Sequence, residues 1–187
     1  LLDNSEESLN VLRHSTAHLM AQAIKSLYND AKFFVGPNVK EGFYYDFKTS
    51  HEIGEADLKE IEKEMLSIAK KKYPIEKYEI TMDEAKEKFK DDHLKLFVMQ
   101  RIPSKTVSIY KQGDFEDLCR GPHLPNVGLI RYFKLTKIAG AYLGGDSNNE
   151  MLTRIYGIAF ADKEALKAYL DMMAEAEKRD HRKLGAE

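Results

Sequence analysis

Apolar side chains at helical spacing open the chain. Over residues 5–28 they recur every three or four positions, which is the repeat of one face of an α-helix. This pattern predicts a long amphipathic helix, and the same repeat over residues 55–72 predicts a second one. The inward face of the second helix is predicted to carry Leu58, Ile61, Met65, Leu66 and Ile68.

Shorter apolar runs, bounded by glycine, proline or other turn residues, predict strands in the rest of the chain. They fall at residues 33–35, 42–47, 77–80, twice within 94–110, and at 129–135, 141–143 and 153–160. A short helix is predicted over 82–89. A last helix is predicted to begin at Asp162 and to run to about Leu184, with Gly185 as its stop.

Helices mixed with mainly antiparallel strands define the α+β class. We expect a mainly antiparallel sheet wrapped around and beside the long N-terminal helix, with a C-terminal helix following it.

Composition narrows the class of protein. The chain has 187 residues, 43% hydrophobic and 32% charged, which is ordinary for a soluble globular domain. No window approaches the roughly 18 uninterrupted apolar residues of a membrane helix. Its one cysteine excludes an internal disulfide framework and suits a reducing compartment, so we expect the cytoplasm. The net charge of -2 excludes a global positive field, so any contact with RNA must be local or supplied by other parts of the protein.

The first ten residues do not have the pattern of a secretory signal. Residue 1 is a leucine, and residues 1–10 lack a basic segment leading into an apolar run. We therefore expect a piece of a longer protein.

Two pairs of metal-binding or catalytic residue types share one spacing. His14 and His18 are four residues apart and so lie on one helix face, which we expect to point away from the core. Cys119 and His123 have the same spacing, but Gly-Pro between them places them on a turn or loop. Two histidines from a helix with a cysteine and a histidine from a loop form either four zinc ligands or a hydrolytic cluster. The residues alone leave both readings open.

Other polar positions have ordinary explanations. Lys95 lies in a run that resembles an edge strand, and Asp117 fits a turn that accepts backbone hydrogen bonds. The glycines at 140, 144 and 145 lack the spacing of either nucleotide-binding loop. The basic residues at 178–183 fit a solvated helix end, or a contact with phosphate.

Five segments together carry a family resemblance. They are HSTAH at 14–18, GFYYD at 42–46, DLCRGPH at 117–123, GDSNN at 145–149 and KRDHRKLG at 178–185. In this order the chain resembles the editing domain of bacterial threonyl-tRNA synthetases, followed by the helix that leads into their catalytic core. More distantly it is similar to the editing domain of alanyl-tRNA synthetases, which shares both pairs and places zinc between them. The resemblance implies an editing domain over residues 1–161 and a linking helix over 162–187.

The resemblance also implies a reaction, a site and partners. The reaction is hydrolysis of serine mischarged onto threonine tRNA, and the partners are the aminoacylated 3′ end of that tRNA and the remainder of the synthetase. Neither ATP binding nor threonine activation is expected of this chain. The implied catalytic residues are His14, His18, Lys95, Cys119 and His123. The implied substrate contacts are Asp117 for the serine amino group, Tyr45 and Tyr110 around the adenosine, and Gly36 in the pocket wall.

Three alternatives remain at this stage. In the threonyl family the four clustered positions work without metal, so no cofactor is expected. Zinc at His14, His18, Cys119 and His123 is the alternative, as in an alanyl-type hydrolase. A noncatalytic tRNA-docking module is the second alternative, and Cys119 as a covalent nucleophile is the third.

Overall fold

The computed structural model describes the backbone of residues 2–185 and the side chains of residues 2–180. Within that part, the helices are α1 (Glu6–Leu27), α2 (Glu55–Lys70), α3 (Met82–Lys88), α4 (His93–Gln100) and α5 (Lys163–Gly185). The strands are β1 (Lys32–Phe33), β2 (Asn38–Val39), β3 (Gly42–Lys48), β4 (Ile75–Thr81), β5 (Thr106–Gln112), β6 (Phe115–Leu118), β7 (Tyr132–Tyr142) and β8 (Met151–Phe160).

The strands form two antiparallel sheets. The first has the order β1-β3-β8-β7, with β2 paired to β3, and the second has the order β4-β5-β6. All pairings are antiparallel. The α+β class is therefore confirmed. The strands predicted at 129–135 and 141–143 belong largely to the single strand β7, which carries a bulge between Leu135 and Lys137.

Helix α1 is the centre of the molecule. Ser5 caps it by accepting a hydrogen bond from the Ser8 backbone nitrogen at 3.4 Å, and Glu6 and Glu7 favour the positive end of its dipole. The helix packs against α2, β3 and β8. Every residue from 12 to 24 except His14 is buried.

The expected position of His18 on an exposed helix face was wrong. His18 is only 3% exposed. The apolar stripe predicts the side that faces the main core, but the histidine side of α1 is also covered, because His18 lies against Tyr45 of β3, Asp117 of β6 and His123 of the loop after β6. A helix surrounded by other elements has no free face, whatever its pattern.

The segment that carries Lys95 is the helix α4, not a strand as its sequence predicts. Asp92 caps this helix, because its carboxylate accepts hydrogen bonds from the backbone nitrogens of Leu94 (3.0 Å) and Lys95 (3.1 Å). Leu94, Lys95 and Met99 share the buried face of one helical turn. Alternating leucines mimic a strand, and the cap together with burial favours the helix instead.

A third correction concerns α2. Four of its five predicted inward residues are buried, whereas Leu66 is 42% exposed. The apolar pattern therefore predicts the direction of the buried face correctly, but it makes that face too wide.

The final helix begins where its capping residue predicts. Asp162 accepts a hydrogen bond from the backbone nitrogen of Ala165 at 2.8 Å. The predicted stop at Gly185 is the last described position, and the side chains of the basic residues 181–183 lie outside the described part. No helix among the described residues is long and apolar enough to span a bilayer.

Candidate active site

The two His/Cys pairs meet between α1 and the loop that follows β6. His14 and His18 lie one turn apart on α1, and Cys119 and His123 come from the loop. The Cys119 Sγ atom is 3.1 Å from His14 Nε2 and 3.2 Å from His123 Nε2. The potential ligand atoms of all four residues lie within 4.8 Å of one another. Residues more than 100 positions apart thus form one cluster.

Hydrogen bonds fix the loop on the helix and fix its own conformation. The Ser15 hydroxyl, on α1, accepts a hydrogen bond from the backbone nitrogen of Leu124 at 2.9 Å. Gly121 has a φ of 78°, and its nitrogen donates to Cys119 Sγ at 3.2 Å. A side chain at position 121 would collide with the Tyr110 hydroxyl. A glycine is therefore needed both for the backbone conformation and for space.

Tyr110 lies behind the cluster. It is 8% exposed, and its ring packs on the His123 ring with centroids 4.2 Å apart. The Tyr110 ring therefore supports His123 and does not line the cavity described below.

A buried polar network adjoins the histidines. The Asp117 carboxylate forms an ion pair with Lys95 and accepts a hydrogen bond from the Tyr45 hydroxyl. His18 Nε2 lies 3.6 Å from the same carboxylate. The Lys95 ammonium also donates to the Phe34 carbonyl at 3.0 Å and to the Tyr45 hydroxyl at 3.2 Å. The structure thus brings Lys95, Asp117 and Tyr45 to the His/Cys cluster.

Burial sets the protonation of the cluster. It lowers the pKa of His14, moderated by Asp117, and it lowers the pKa of His18 well below its ordinary value. Burial, with the neighbouring histidines, lowers the pKa of His123 to about 2. Burial also raises the pKa of Cys119 to about 11. At neutral pH the cluster therefore holds three neutral imidazoles and a thiol.

A small cavity opens onto these groups. It has a volume of about 300 Å³. Its polar wall carries His14, His18, Tyr45, Lys95, Cys119 and Arg120, and its other wall carries Phe34, Val35, Gly36, Pro37, Val98 and Leu118. A side chain at position 36 would enter the Tyr45 ring, so Gly36 lets the two walls approach.

Larger cavities lie elsewhere in the described part of the chain. One of about 430 Å³ shares Val98, Leu118, Cys119 and Arg120 with the first, so it continues from the cluster towards β5. Another of about 680 Å³ lies at the C-terminal ends of α1 and α2, and none of the predicted site residues lines it. The predicted site residues therefore gather at the smaller cavity.

Several residues at or beside the site were not predicted from the sequence. Val35 and Val98 are ordinary apolar positions with no chemical signal. Arg120 and Ser15 lie inside the DLCRGPH and HSTAH segments, which is the signal that would have found them. Asp92, which caps α4, also accepts a hydrogen bond from the Phe33 nitrogen at 3.3 Å and so ties Lys95 to β1.

The donor set fits zinc in type and nearly in spacing. A tetrahedral site with ordinary Zn–S and Zn–N lengths separates sulfur from nitrogen by about 3.5 Å, against 3.1 and 3.2 Å here. A small outward shift of the side chains would admit the ion. The hydrogen bonds that would orient the zinc ligands are incomplete, however, because His123 Nδ1 is buried without a hydrogen-bond partner among the described residues. Zinc-bound histidines ordinarily donate from their second nitrogen to an acceptor.

Comparison with known proteins finds a matching family and similar proteins. The family described as "Threonyl and Alanyl tRNA synthetase second additional domain" matches residues 107–156. The threonine–tRNA ligase of Sulfurovum sp. (strain NBC37-1) is 71% identical over 185 residues, covering 99% of this chain and 31% of the relative. That of Campylobacter jejuni subsp. jejuni serotype O:2 is 66% identical, covering 99% of the chain and 31% of the relative. That of Nautilia profundicola is 66% identical, covering 99% and 30%.

The chain thus spans about a third of the length of these curated relatives. The match over nearly the whole chain confirms the resemblance stated from the sequence segments. Residues 107–156 therefore match the second additional domain of threonyl- and alanyl-tRNA synthetases, and the chain over nearly its whole length is similar to a part of threonine–tRNA ligases, which is consistent with the editing domain of threonyl-tRNA synthetases.

Proposed function

We propose that this chain is an editing module that hydrolyses the ester between serine and the terminal ribose of mischarged threonine tRNA. One observation carries the proposal: neutral His14 and Lys95 line the same cavity of about 300 Å³, and buried Asp117 supplies the counter-charge of Lys95. A proton acceptor and a cation beside one small cavity are what ester hydrolysis needs.

The need for such a module follows from the limits of recognition. A pocket built for threonine rejects the smaller serine poorly, because a missing methyl group changes binding by only about 1–3 kcal/mol. A second site can remove the error when it is too small for threonine. The walls formed by Val35, Val98 and Leu118 supply that restriction in this proposal.

The proposed mechanism uses a water molecule as nucleophile. His14, the one cluster histidine on α1 that is not fully buried, accepts a proton as the water oxygen bonds to the ester carbon. The Lys95 ammonium stabilises the negative charge on the former carbonyl oxygen. The ester C–O bond then breaks, and protonated His14 returns its proton to the ribose oxygen. Serine and tRNA with a free hydroxyl are the products.

The remaining polar groups bind and orient. Asp117 binds the serine amino group with the lone pairs that Lys95 and Tyr45 do not use. Tyr45 frames the adenosine, whereas Tyr110, which lies behind the cluster, contributes by supporting His123. His18 and His123 hold the Cys119 thiol beside His14. Gly36 completes the wall.

The proposal includes no cofactor. The incomplete hydrogen bonding of His123 supports this choice, and zinc held by His14, His18, Cys119 and His123 is the competing candidate because the donor spacing favours it. With zinc bound, the ion would supply an activated water.

The organisation of the larger protein is part of the proposal. Residues 1–161 form the editing domain, and residues 162–187 lead into the remainder of the synthetase. The partner is the aminoacylated 3′ end of threonine tRNA, in the cytoplasm. Aminoacylation belongs to the absent part.

The test is deacylation by the purified chain. Threonine tRNA charged with radiolabelled serine or threonine is incubated with excess protein, and ester loss is followed against buffer. The proposal predicts rapid loss of the seryl ester and near-background loss of the threonyl ester. Binding of the charged tRNA with no accelerated loss of either ester would instead identify a noncatalytic docking module.

A further inference from the structure

The GDSNN segment at 145–149 and the outward face of the first sheet take no part in the reaction proposed above. Along β3, β8 and β7 alternate residues point to α1, and the others point outward. Register places Tyr44 beside Tyr156 and Tyr156 beside Lys137 across the three strands. This outward row is partly or fully exposed. It consists of aromatic and cationic side chains at the middle of a sheet.

The row is organised by cation–π contacts. The Tyr44 and Tyr156 ring centroids are 5.5 Å apart. The Arg154 guanidinium lies 4.0 Å from the Tyr44 centroid, and the Lys137 ammonium lies 4.6 Å from the Tyr156 centroid. Two hydrogen bonds of 2.7 and 2.9 Å from Arg154 to the Asp46 carboxylate fix the guanidinium. The face is thus preorganised to receive a flat or anionic group.

A cleft of about 450 Å³ opens on this face. Tyr44, Asp46 and Arg154 line one side, and the backbones of Gly140, Gly144 and Gly145 line another. Gly145 has a φ of 78° and nothing within 4 Å of the position that a side chain would occupy. A ligand can therefore approach this backbone closely.

The cleft adjoins the proposed active site. Phe34 and Val35 line both the cleft and the cavity that holds the His/Cys cluster. The segment Phe34–Val35 separates them by the thickness of one strand. The Phe34 nitrogen donates to the Asp46 carbonyl, and the Asp46 nitrogen donates to the Val35 carbonyl. A flexible polymer whose end lies in the site can continue over this edge into the cleft.

The charge of the face favours an anionic occupant. Lys137 and Arg101 are exposed and form no ion pair among the described residues, and Arg101 lies against Gly144. Of the nearby acids, Asp46 is bound to Arg154 and Glu150 to Lys48. Asp146 accepts a hydrogen bond from its own loop at Asn148. Unpaired cations beside aromatic rings are the usual composition of a surface for single-stranded nucleic acid.

The geometry points to this face as the docking surface for the unpaired nucleotides that precede the terminal adenosine of the substrate RNA. The inference rests on the proposed editing function only for the identity of the RNA. A base stacks in the cleft against Tyr44 or Tyr142, and Lys137 and Arg101 contact phosphates. Tyr142 is 42% exposed and lines the cleft.

The test is an NMR titration of the isotopically labelled chain with a single-stranded RNA tetranucleotide that ends in CCA. We expect amide shifts at Gly140, Gly144 and Gly145. Lys137→Ala and Tyr142→Ala should each raise the dissociation constant at least fivefold, whereas Lys59→Ala and Leu129→Ala, at exposed positions elsewhere, leave it unchanged. Absence of shifts at millimolar RNA, or shifts confined to another surface, overturns the inference and leaves the face to another part of the synthetase.

A second measurement separates this inference from the editing proposal. Seryl-tRNA and the small ester seryl-adenosine are compared as substrates of the same variants. We expect Lys137→Ala and Tyr142→Ala to raise KM for seryl-tRNA at least fivefold and to leave kcat and the hydrolysis of seryl-adenosine unchanged. Equal losses on both substrates overturn the inference. If the wild-type chain hydrolyses neither ester, the editing proposal fails, and the RNA titration still decides whether the face binds RNA.

Discussion

Lys95 on α4 and Asp117 on β6 form an ion pair in which the side chains are 4% and 1% exposed. The two residues belong to different elements, and the pair links them at the floor of the candidate site. Tyr45 donates to the same carboxylate, and the Phe34 carbonyl accepts from the same ammonium. The charges are thereby satisfied away from water, which lets a lysine remain in the interior.

Breaking this pair should destabilise the fold strongly. Asp117→Asn leaves the Lys95 ammonium buried without its counter-charge, and we expect a loss of about 3–5 kcal/mol in the free energy of unfolding. Urea denaturation measures it. The matched control is Lys88→Met, which breaks the partly exposed pair with Glu116 and should cost less than about 1 kcal/mol. Similar losses in the two variants would contradict the structural role given to the buried pair.

Replacing the proposed base should remove activity without unfolding the chain. His14→Gln keeps a polar side chain of similar size but cannot accept a proton from water. We expect the rate of seryl ester loss to fall by about 10²–10⁴-fold. His51→Gln, at an exposed position outside the cavity, should leave the rate unchanged. A His14→Gln variant with the normal rate would assign the proton transfer to another group.

The Cys119 thiol should be a poor nucleophile at neutral pH. Burial raises its pKa to about 11, so thiolate is scarce at pH 7 and increases as the pH rises towards that value. Alkylation by iodoacetamide, in metal-free buffer, should be slow at pH 7 and accelerate by about tenfold per pH unit up to pH 10. A rate that is already constant above pH 8 would indicate a reactive thiolate and would favour covalent catalysis by Cys119.

Acid should weaken the fold through the buried histidines. In the unfolded chain these residues bind protons below about pH 6.5, whereas burial holds the pKa of His18 well below its ordinary value and that of His123 near about 2. The unfolded state therefore binds more protons between these limits, and stability is lost as the pH falls through them.

Urea denaturation between pH 7.5 and 5 measures this effect. Each such histidine should remove up to about 1.4 kcal/mol per pH unit below its unfolded pKa. His123→Gln should show a smaller slope than the wild type, and the control variant His51→Gln, at an exposed position, should show the wild-type slope. Equal slopes for His123→Gln and the wild type would contradict burial of a neutral His123.

Local patterns predicted the helices and most strands because burial in this molecule is largely one-sided for α2 and for the sheets. They failed where an element is enclosed or very short. Around α1 a second layer covers the histidine side, so amphipathicity gives the wrong exposure for His18. In α4 eight residues carry too little periodicity, and the cap at Asp92 decides the structure of the segment.

The site residues were likewise only partly predictable from local sequence. Spacing alone placed His14 with His18 and Cys119 with His123, but nothing local brings the two pairs together, because α1 and the loop after β6 meet only through the tertiary fold. Lys95 came from the family resemblance, since its local pattern indicates an edge strand. Val35 and Val98 acquire importance only from the cavity they enclose.

The most direct test of the central claim is the rate of seryl-tRNA hydrolysis by the chain after exhaustive chelation, with zinc content and ester loss measured on one sample. The account predicts rapid, serine-selective hydrolysis by protein that contains no stoichiometric zinc, and no gain when zinc is restored. Loss of hydrolysis on chelation, with recovery at one zinc per chain, would contradict a metal-free hydrolytic cluster.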